Sequence, residues 1–260
     1  MTLLTVDGLT IRDASGKTLV EDVSFAVGAG DRVALIGESG SGKSLTSLAM
    51  MGLLPPGLTA SGQIRLDGAD MITAPQGRGQ VAAVVFQEPL TALDPLMTAG
   101  RQIAAPLRRF QGLRGAALRS AVHDNLAAVR LTDSDRIARS YPHQLSGGQR
   151  QRVAIAMALA CKPRLLIADE PTTALDVTVQ SEILDLLDRV VTEQGTALLF
   201  ITHDLPVAAR VVHDTHVLRD GRIVESGPIA RVIAEPSHPY TRTLVDSARR
   251  FDTALQRRRP

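Results

Sequence analysis

Gly37-Glu38-Ser39-Gly40-Ser41-Gly42-Lys43-Ser44 stands between the apolar run Val33 to Ile36 and a helix-like stretch from Lys43 to Met51 that ends at Gly52. The octapeptide fits G-x-x-x-x-G-K-[ST] and sits where that pattern has a mechanism, after a strand and at the head of a helix. Glycines let backbone N–H groups turn toward an anion, and the helix N-terminus adds partial positive charge. Lys43 is therefore expected to hold the β- and γ-phosphates of ATP and Ser44 to ligate Mg²⁺, with Gly37 to Gly42 lining the cradle. Among 29 basic residues only Lys17, Lys43 and Lys162 are lysines, so a lysine at this position does not reflect abundance.

Further along, Leu165-Leu166-Ile167-Ala168-Asp169-Glu170 places two carboxylates at the C-terminal end of a continuous apolar run. That end of a buried strand is the edge at which open α/β sheets bind ligands. Side chains alternate along a strand, so the neighbouring acids are expected to face different directions. Asp169 can then serve the Mg²⁺ shell while Glu170 meets the attacking water as general base.

Leu145-Ser146-Gly147-Gly148-Gln149 leads directly into the helix-like run Arg150 to Ala160. Ser146 with Gln149 three residues later is a capping box, which satisfies orphan N–H groups at a helix start. A capping box does not require the two glycines inside it. Without Cβ atoms at Gly147 and Gly148 an anion can approach the helix N-terminus, which makes this a second phosphate site. Since one chain already has a phosphate loop, the economical arrangement is two chains sandwiching ATP head to tail.

The remaining organisation is that of an α/β protein interrupted by helices. Leu3 to Val6, Thr18 to Val23 and Val33 to Ile36 read as hairpin strands feeding a buried strand, and Gln63 to Leu66 and Ala82 to Phe86 as two more. From about Met97 to Arg139 Ala, Leu and Arg recur at helical spacing, and an amphipathic helix from about Val177 to Thr192 precedes the buried strand Ala197 to Ile201.

Composition narrows the classes. With 260 residues and 44% hydrophobic content the chain can bury a sizeable core, and a formal net charge of +2 does not imply a nucleic-acid partner. One cysteine, Cys161, excludes a disulfide framework, an all-cysteine zinc site and an iron–sulfur cluster held within the chain. MTLLTVDGLT does not read as a signal peptide, and no apolar run reaches the roughly 18 residues that cross a bilayer.

Taken together, the phosphate loop, the acidic strand end and Leu145 to Gln149 resemble the nucleotide-binding subunit of an ATP-binding cassette (ABC) transporter, whose signature motif Leu145 to Gln149 matches. The resemblance implies a RecA-like phosphate-loop core with an N-terminal antiparallel β subdomain and an inserted α-helical subdomain. Residues 1–226 would form the cassette, with the helical insert at about 90–160, and residues 227–260 a C-terminal helical segment and basic tail. It further implies that Gln87, in Phe86-Gln87-Glu88-Pro89, senses Mg²⁺ and the attacking water. Asp176 would line the dimer seam, and His203 would contact the γ-phosphate. Each of the three has a plain alternative: a solvated turn residue, a helix N-cap, and a cap of the following helix in His203-Asp204. Where the family carries an aromatic that stacks on adenine, this chain has Ile11, so the resemblance leaves two expectations open: a weaker nucleotide affinity, or Ile11 and Arg12 covering the base instead.

Gln87 to Pro95 (QEPLTALDP), Tyr141-Pro142-His143-Gln144 and His238-Pro239-Tyr240-Thr241-Arg242 resemble the dipeptide, oligopeptide and nickel importer branch. The branch implies a chain at the cytoplasmic face of the membrane, held there by two transmembrane permease subunits. It also implies an extracytoplasmic solute-binding protein and a second ATPase subunit, as homodimer or paralogous heterodimer. Peptide is the expected cargo, with nickel or a metallophore complex as the alternative. A soluble ABC ATPase acting on nucleic acid has only the tail Arg257 to Arg259 in its favour, so no nucleic-acid partner is expected.

Overall fold

A computed structural model describes residues 1–73, 79–88, 92–173 and 175–256, with side chains through Arg249. Pro89 to Thr91 of the QEPLTALDP stretch, Ala174 before the Leu175-Asp176 pair, and the tail Arg257 to Arg259 lie outside the described residues. In chain order the elements are β1 (Thr2–Arg12), β2 (Thr18–Gly28), β3 (Arg32–Ile36), α1 (Lys43–Met50), β4 (Thr59–Leu66), β5 (Ala69–Asp70) and β6 (Ala82–Val85). Next come α2 (Ala99–Gln111), α3 (Gly115–Ala128), α4 (Ser134–Arg139), α5 (Gly147–Leu159), β7 (Leu165–Asp169), α6 (Val177–Gln194) and β8 (Ala197–Thr202). The chain continues through α7 (Leu205–Ala209), β9 (Asp214–Arg219), β10 (Arg222–Pro228), α8 (Ile229–Ala234) and α9 (Pro239–Gln256). They divide into one unit of residues 1–76 and 198–260 and another of residues 77–197.

In the first unit, β1 lies between β2 and β4 in an antiparallel sheet of order β2-β1-β4-β5. Leu4 faces Leu66, and Ile11 faces both Val20 and Ala60. Beside it β3 runs parallel to β8 and to β9, with Leu35 opposite Ile201 on one side and His216 on the other. All six residues of β8 are buried, as a strand covered on both faces must be, which is why Ala197 to Ile201 shows no polar alternation. Each fully buried Leu, Ile or Phe there contributes about 1.5–3 kcal/mol.

In the second unit β6 and β7 run parallel, Val84 opposite Ile167. The helical insert supplies α2, α3 and α4, and their burial follows the helical period: α2 buries Ala99, Ile103 and Leu107 at four-residue steps. Its C-terminus is closed by Gly112 in the left-handed region, φ 67°, which needs no Cβ there. α5 is buried over most of its length and is pinned along one side by Arg152, whose guanidinium donates to the Val129 carbonyl at 3.0 Å and to Glu182 at 2.7 Å. The expected mixed α/β architecture, with an antiparallel β subdomain and a helical insert, is present.

Candidate functional site

The glycine loop turns into α1 through Gly42, whose φ of 102° lies in the left-handed region and whose lack of a side chain leaves the helix without a side-chain N-cap. A Cβ at Gly42 would lie 2.9 Å from Val20 Cγ2, and one at Gly37 would run into the Leu218 carbonyl oxygen. Both positions are therefore closed to larger residues on packing grounds, and Gly42 on conformational grounds as well. Lys43, only 4% exposed, donates from Nζ to the carbonyl oxygens of Gly37 at 2.8 Å and Glu38 at 2.9 Å. Ser41 Oγ is buried with no hydrogen-bond partner among the described residues. A buried ammonium, an unpartnered hydroxyl and a helix start with no side-chain cap together form an anion cradle, the chemistry a triphosphate demands.

β7 is buried throughout and delivers Asp169 as its last residue, 7% exposed. Glu170 has left the strand: its φ is +46°, a conformation that non-glycine residues adopt at a cost of about 1–2 kcal/mol. The chain thus turns left-handed at Glu170, one residue past the end of β7 at Asp169. Thr173 donates its hydroxyl hydrogen to Glu170 Oε2 at 2.9 Å and so orients the carboxylate. Gln87 is exposed just past the end of β6, in the turn that follows the strand.

At the head of α5 the capping box is formed in full. Ser146 Oγ accepts from the Gln149 N–H at 3.3 Å, and Gln149 Oε1 accepts from the Ser146 N–H at 3.1 Å. The two glycines inside it differ. A Cβ at Gly147 would meet only Leu175 at 3.8 Å, ordinary contact, whereas one at Gly148 would lie 2.8 Å from Val179 Cγ1. Close packing of α5 against the first turn of α6 thus demands Gly148 whatever binds there, while Gly147 has no such packing constraint. Asp176 is the N-cap of α6, accepting from the Val179 N–H at 3.0 Å. Asp204 caps α7 in the same way through Val207 N–H, and the neighbouring His203 is exposed at the end of β8. The plain readings of Ser146, Gln149, Asp176 and Asp204 as caps are therefore realised, and they leave the same helix ends presented at the surface.

One expectation fails. Ile11 is 0% exposed, buried near the end of the inner strand β1 where it pairs with Val20 and Ala60, and has no face to offer a base. Strand alternation explains this: Ile11 points into the core and Arg12, next along β1, is exposed.

One residue in contact with the loop carried no role in the sequence reading. Tyr240, in the first turn of α9, accepts a hydrogen bond at its hydroxyl oxygen from the Glu38 N–H at 2.9 Å, across 202 residues of sequence. Glu38 to Ser41, Arg219, Asp220 and Tyr240 line a groove of about 420 Å³ along the loop. The only sequence signal was the His238-Pro239-Tyr240 tripeptide itself, which local patterning does not connect to a phosphate loop.

The family model described as ABC transporter matches residues 20–173, and that of the oligopeptide/dipeptide transporter C-terminal region matches residues 224–260. A putative peptide import ATP-binding protein of Brucella ovis is 47% identical over 252 residues, covering 92% of this chain and 75% of its own. The peptidoglycan transport ATP-binding protein YejF of Agrobacterium fabrum is 46% identical over 253 residues; the match covers 94% of this chain and 46% of that relative, so this chain spans about half of its length. Among solved structures, a dimeric ATP-binding cassette in a post-hydrolysis state with ADP and Pi superposes with a TM-score of 0.76 at 30% identity, covering 87% of this chain and 99% of that one.

Proposed function

The chain belongs to the ABC transporter family, as an ATP-binding cassette, and from that premise we propose that it is the ATP-hydrolysing subunit of an importer for dipeptides or oligopeptides. The observation that carries the cargo reading is the match of residues 224–260 to the C-terminal region of oligopeptide/dipeptide transporters. The similarity to a peptide import protein of Brucella ovis supports it.

In this reading Lys43, the first-turn N–H groups of α1 and Ser41 hold the triphosphate, replacing the two carbonyl partners that Lys43 has in the loop. Glu170, oriented by Thr173, takes a proton from water as its oxygen attacks the γ-phosphorus, and the bond to the β–γ bridging oxygen breaks to leave ADP and phosphate. Ser44, Gln87 and Asp169 offer a hydroxyl, an amide oxygen and a carboxylate, an all-oxygen donor set that fits Mg²⁺. When bound, that ion neutralises charge on the phosphate oxygens. His203 contacts the γ-phosphate, and Arg12 replaces Ile11 as the residue beside the base.

The head of α5, with Ser146, Gly147 and Gly148, and the capped start of α6 at Asp176 serve the nucleotide of a second ATPase subunit. Each ATP then touches both chains, which favours the closed dimer over the open one. No helix among the described residues is long and apolar enough to cross a membrane. The motion is passed to two permease subunits at the cytoplasmic face, and an extracytoplasmic solute-binding protein delivers the cargo.

The test is direct. Glu170→Gln should retain ATP and dimerise with it, as read by light scattering, while phosphate release falls by about 10²–10⁴-fold. Cells lacking the chain should lose uptake of a labelled dipeptide or oligopeptide; retained peptide uptake beside lost nickel uptake would replace the cargo and keep the motor.

A further inference from the structure

We infer that Tyr240 is a positioning residue for the nucleotide, through which the C-terminal region holds the phosphate loop in its binding geometry; this rests on the ATPase reading above.

The Glu38 peptide is fixed from both sides. Its N–H donates to Tyr240 Oη at 2.9 Å, and its carbonyl accepts from Lys43 Nζ at 2.9 Å. Beyond it Gly40 and Gly42 have φ of 82° and 102°, glycine conformations that are easily lost when the loop is free to move. An anchor at the entry of such a loop lowers the ordering cost of gathering its N–H groups around a phosphate.

Tyr240 is itself immobilised. It is 6% exposed and packs with Val217 and Val232, and the Arg219 guanidinium lies 4.9 Å from its ring centroid. Its backbone N–H donates to His238 Nδ1 at 3.2 Å. Glu225 on β10 accepts from the Ser237 N–H at 2.8 Å and the His238 N–H at 3.0 Å, tying down the start of α9. An unbroken path of contacts therefore runs from β10 through the start of α9 to Glu38. Burial pushes the Tyr240 phenol up from its ordinary value, so the hydroxyl stays neutral. The region matched as characteristic of oligopeptide/dipeptide transporters, residues 224–260, contains Glu225, His238 and Tyr240. Its docking and nucleotide affinity are linked by this path.

The experiment compares Tyr240→Phe with the unaltered full-length chain and with Lys43→Ala. Removing the hydroxyl alone leaves the ring packing and is expected to raise the Kd and KM for ATP by about fivefold, with kcat changed by less than about twofold and the melting temperature unchanged. Glu225→Gln, which loosens the start of α9 without touching the loop, should move KM in the same direction by a smaller factor. Unchanged ATP affinity in Tyr240→Phe overturns the inference, and so does a fall in kcat at constant Kd. Failure of the unaltered chain to hydrolyse ATP, or full turnover in Lys43→Ala, would instead remove the ATPase reading, so the two failures are distinct.

Discussion

Gly148 and Val179 are in such close register that a single Cβ on the glycine would stand 2.8 Å from Val179 Cγ1. The β-branched valine cannot swing clear, so Gly148→Ala must push α5 away from α6. The expected loss is about 1–3 kcal/mol in urea unfolding, and adding Val179→Ala should restore most of it. ATPase activity that stays low in the double variant assigns Gly148 an additional role in nucleotide approach, separate from packing.

Lys43 is buried with its ammonium held inside the loop by the Gly37 and Glu38 carbonyls, the partners that the triphosphate replaces in the ATPase reading. Lys43→Ala should reduce ATP turnover by about two to three orders of magnitude in a phosphate-release assay. Wild-type turnover in that variant would locate phosphate binding elsewhere in the chain.

Asp176 caps α6 through its contact with Val179 N–H. Asp176→Ala should lower stability by about 1 kcal/mol in urea unfolding, and Asp176→Asn, which keeps an acceptor oxygen, should lower it by a few tenths at most. Equal losses in both variants would mean that the negative charge, not the cap, is what stabilises the helix start.

Glu225 links acidity to the docking of α9. Desolvation raises its pKa, but hydrogen bonds from the Ser237 N–H and the His238 N–H outweigh that and hold the carboxyl down at about 2 against an ordinary 4.5. A depressed folded-state pKa adds stability that is fully present above the unfolded value and drains away as pH falls from about 4.5 through about 2. Glu225→Gln should therefore flatten the dependence of the unfolding midpoint on pH in the acid range. An identical acid slope in variant and parent would show that other carboxylates carry it.

The parts of the site that sequence made legible are those whose chemistry is local. Gly37 to Ser44 needs only a strand before it and a helix after it, and both are present as β3 and α1. Ser146 and Gln149 announce a helix start because the capping box closes within four residues. Misplaced details were also local but depended on a bend. The sequence places Glu170 on the strand beside Asp169, whereas β7 stops at Asp169 and Glu170 itself adopts the left-handed conformation. Ile11 was chosen by its position in the chain, and the pairing of β1 with two neighbours buried it.

By itself, the order of residues determined the phosphate loop, the acidic strand end, the signature turn, the helical insert and the alternation of strands and helices, because each follows from spacing of a few residues and the periods of helix and strand. Only the tertiary structure decided that Gly148 is demanded by Val179, that Ile11 is core, and that Tyr240 reaches Glu38 from 202 residues away. Those relationships join segments distant in the chain. They arise when packing brings surfaces together, and no local pattern encodes which distant atom will arrive.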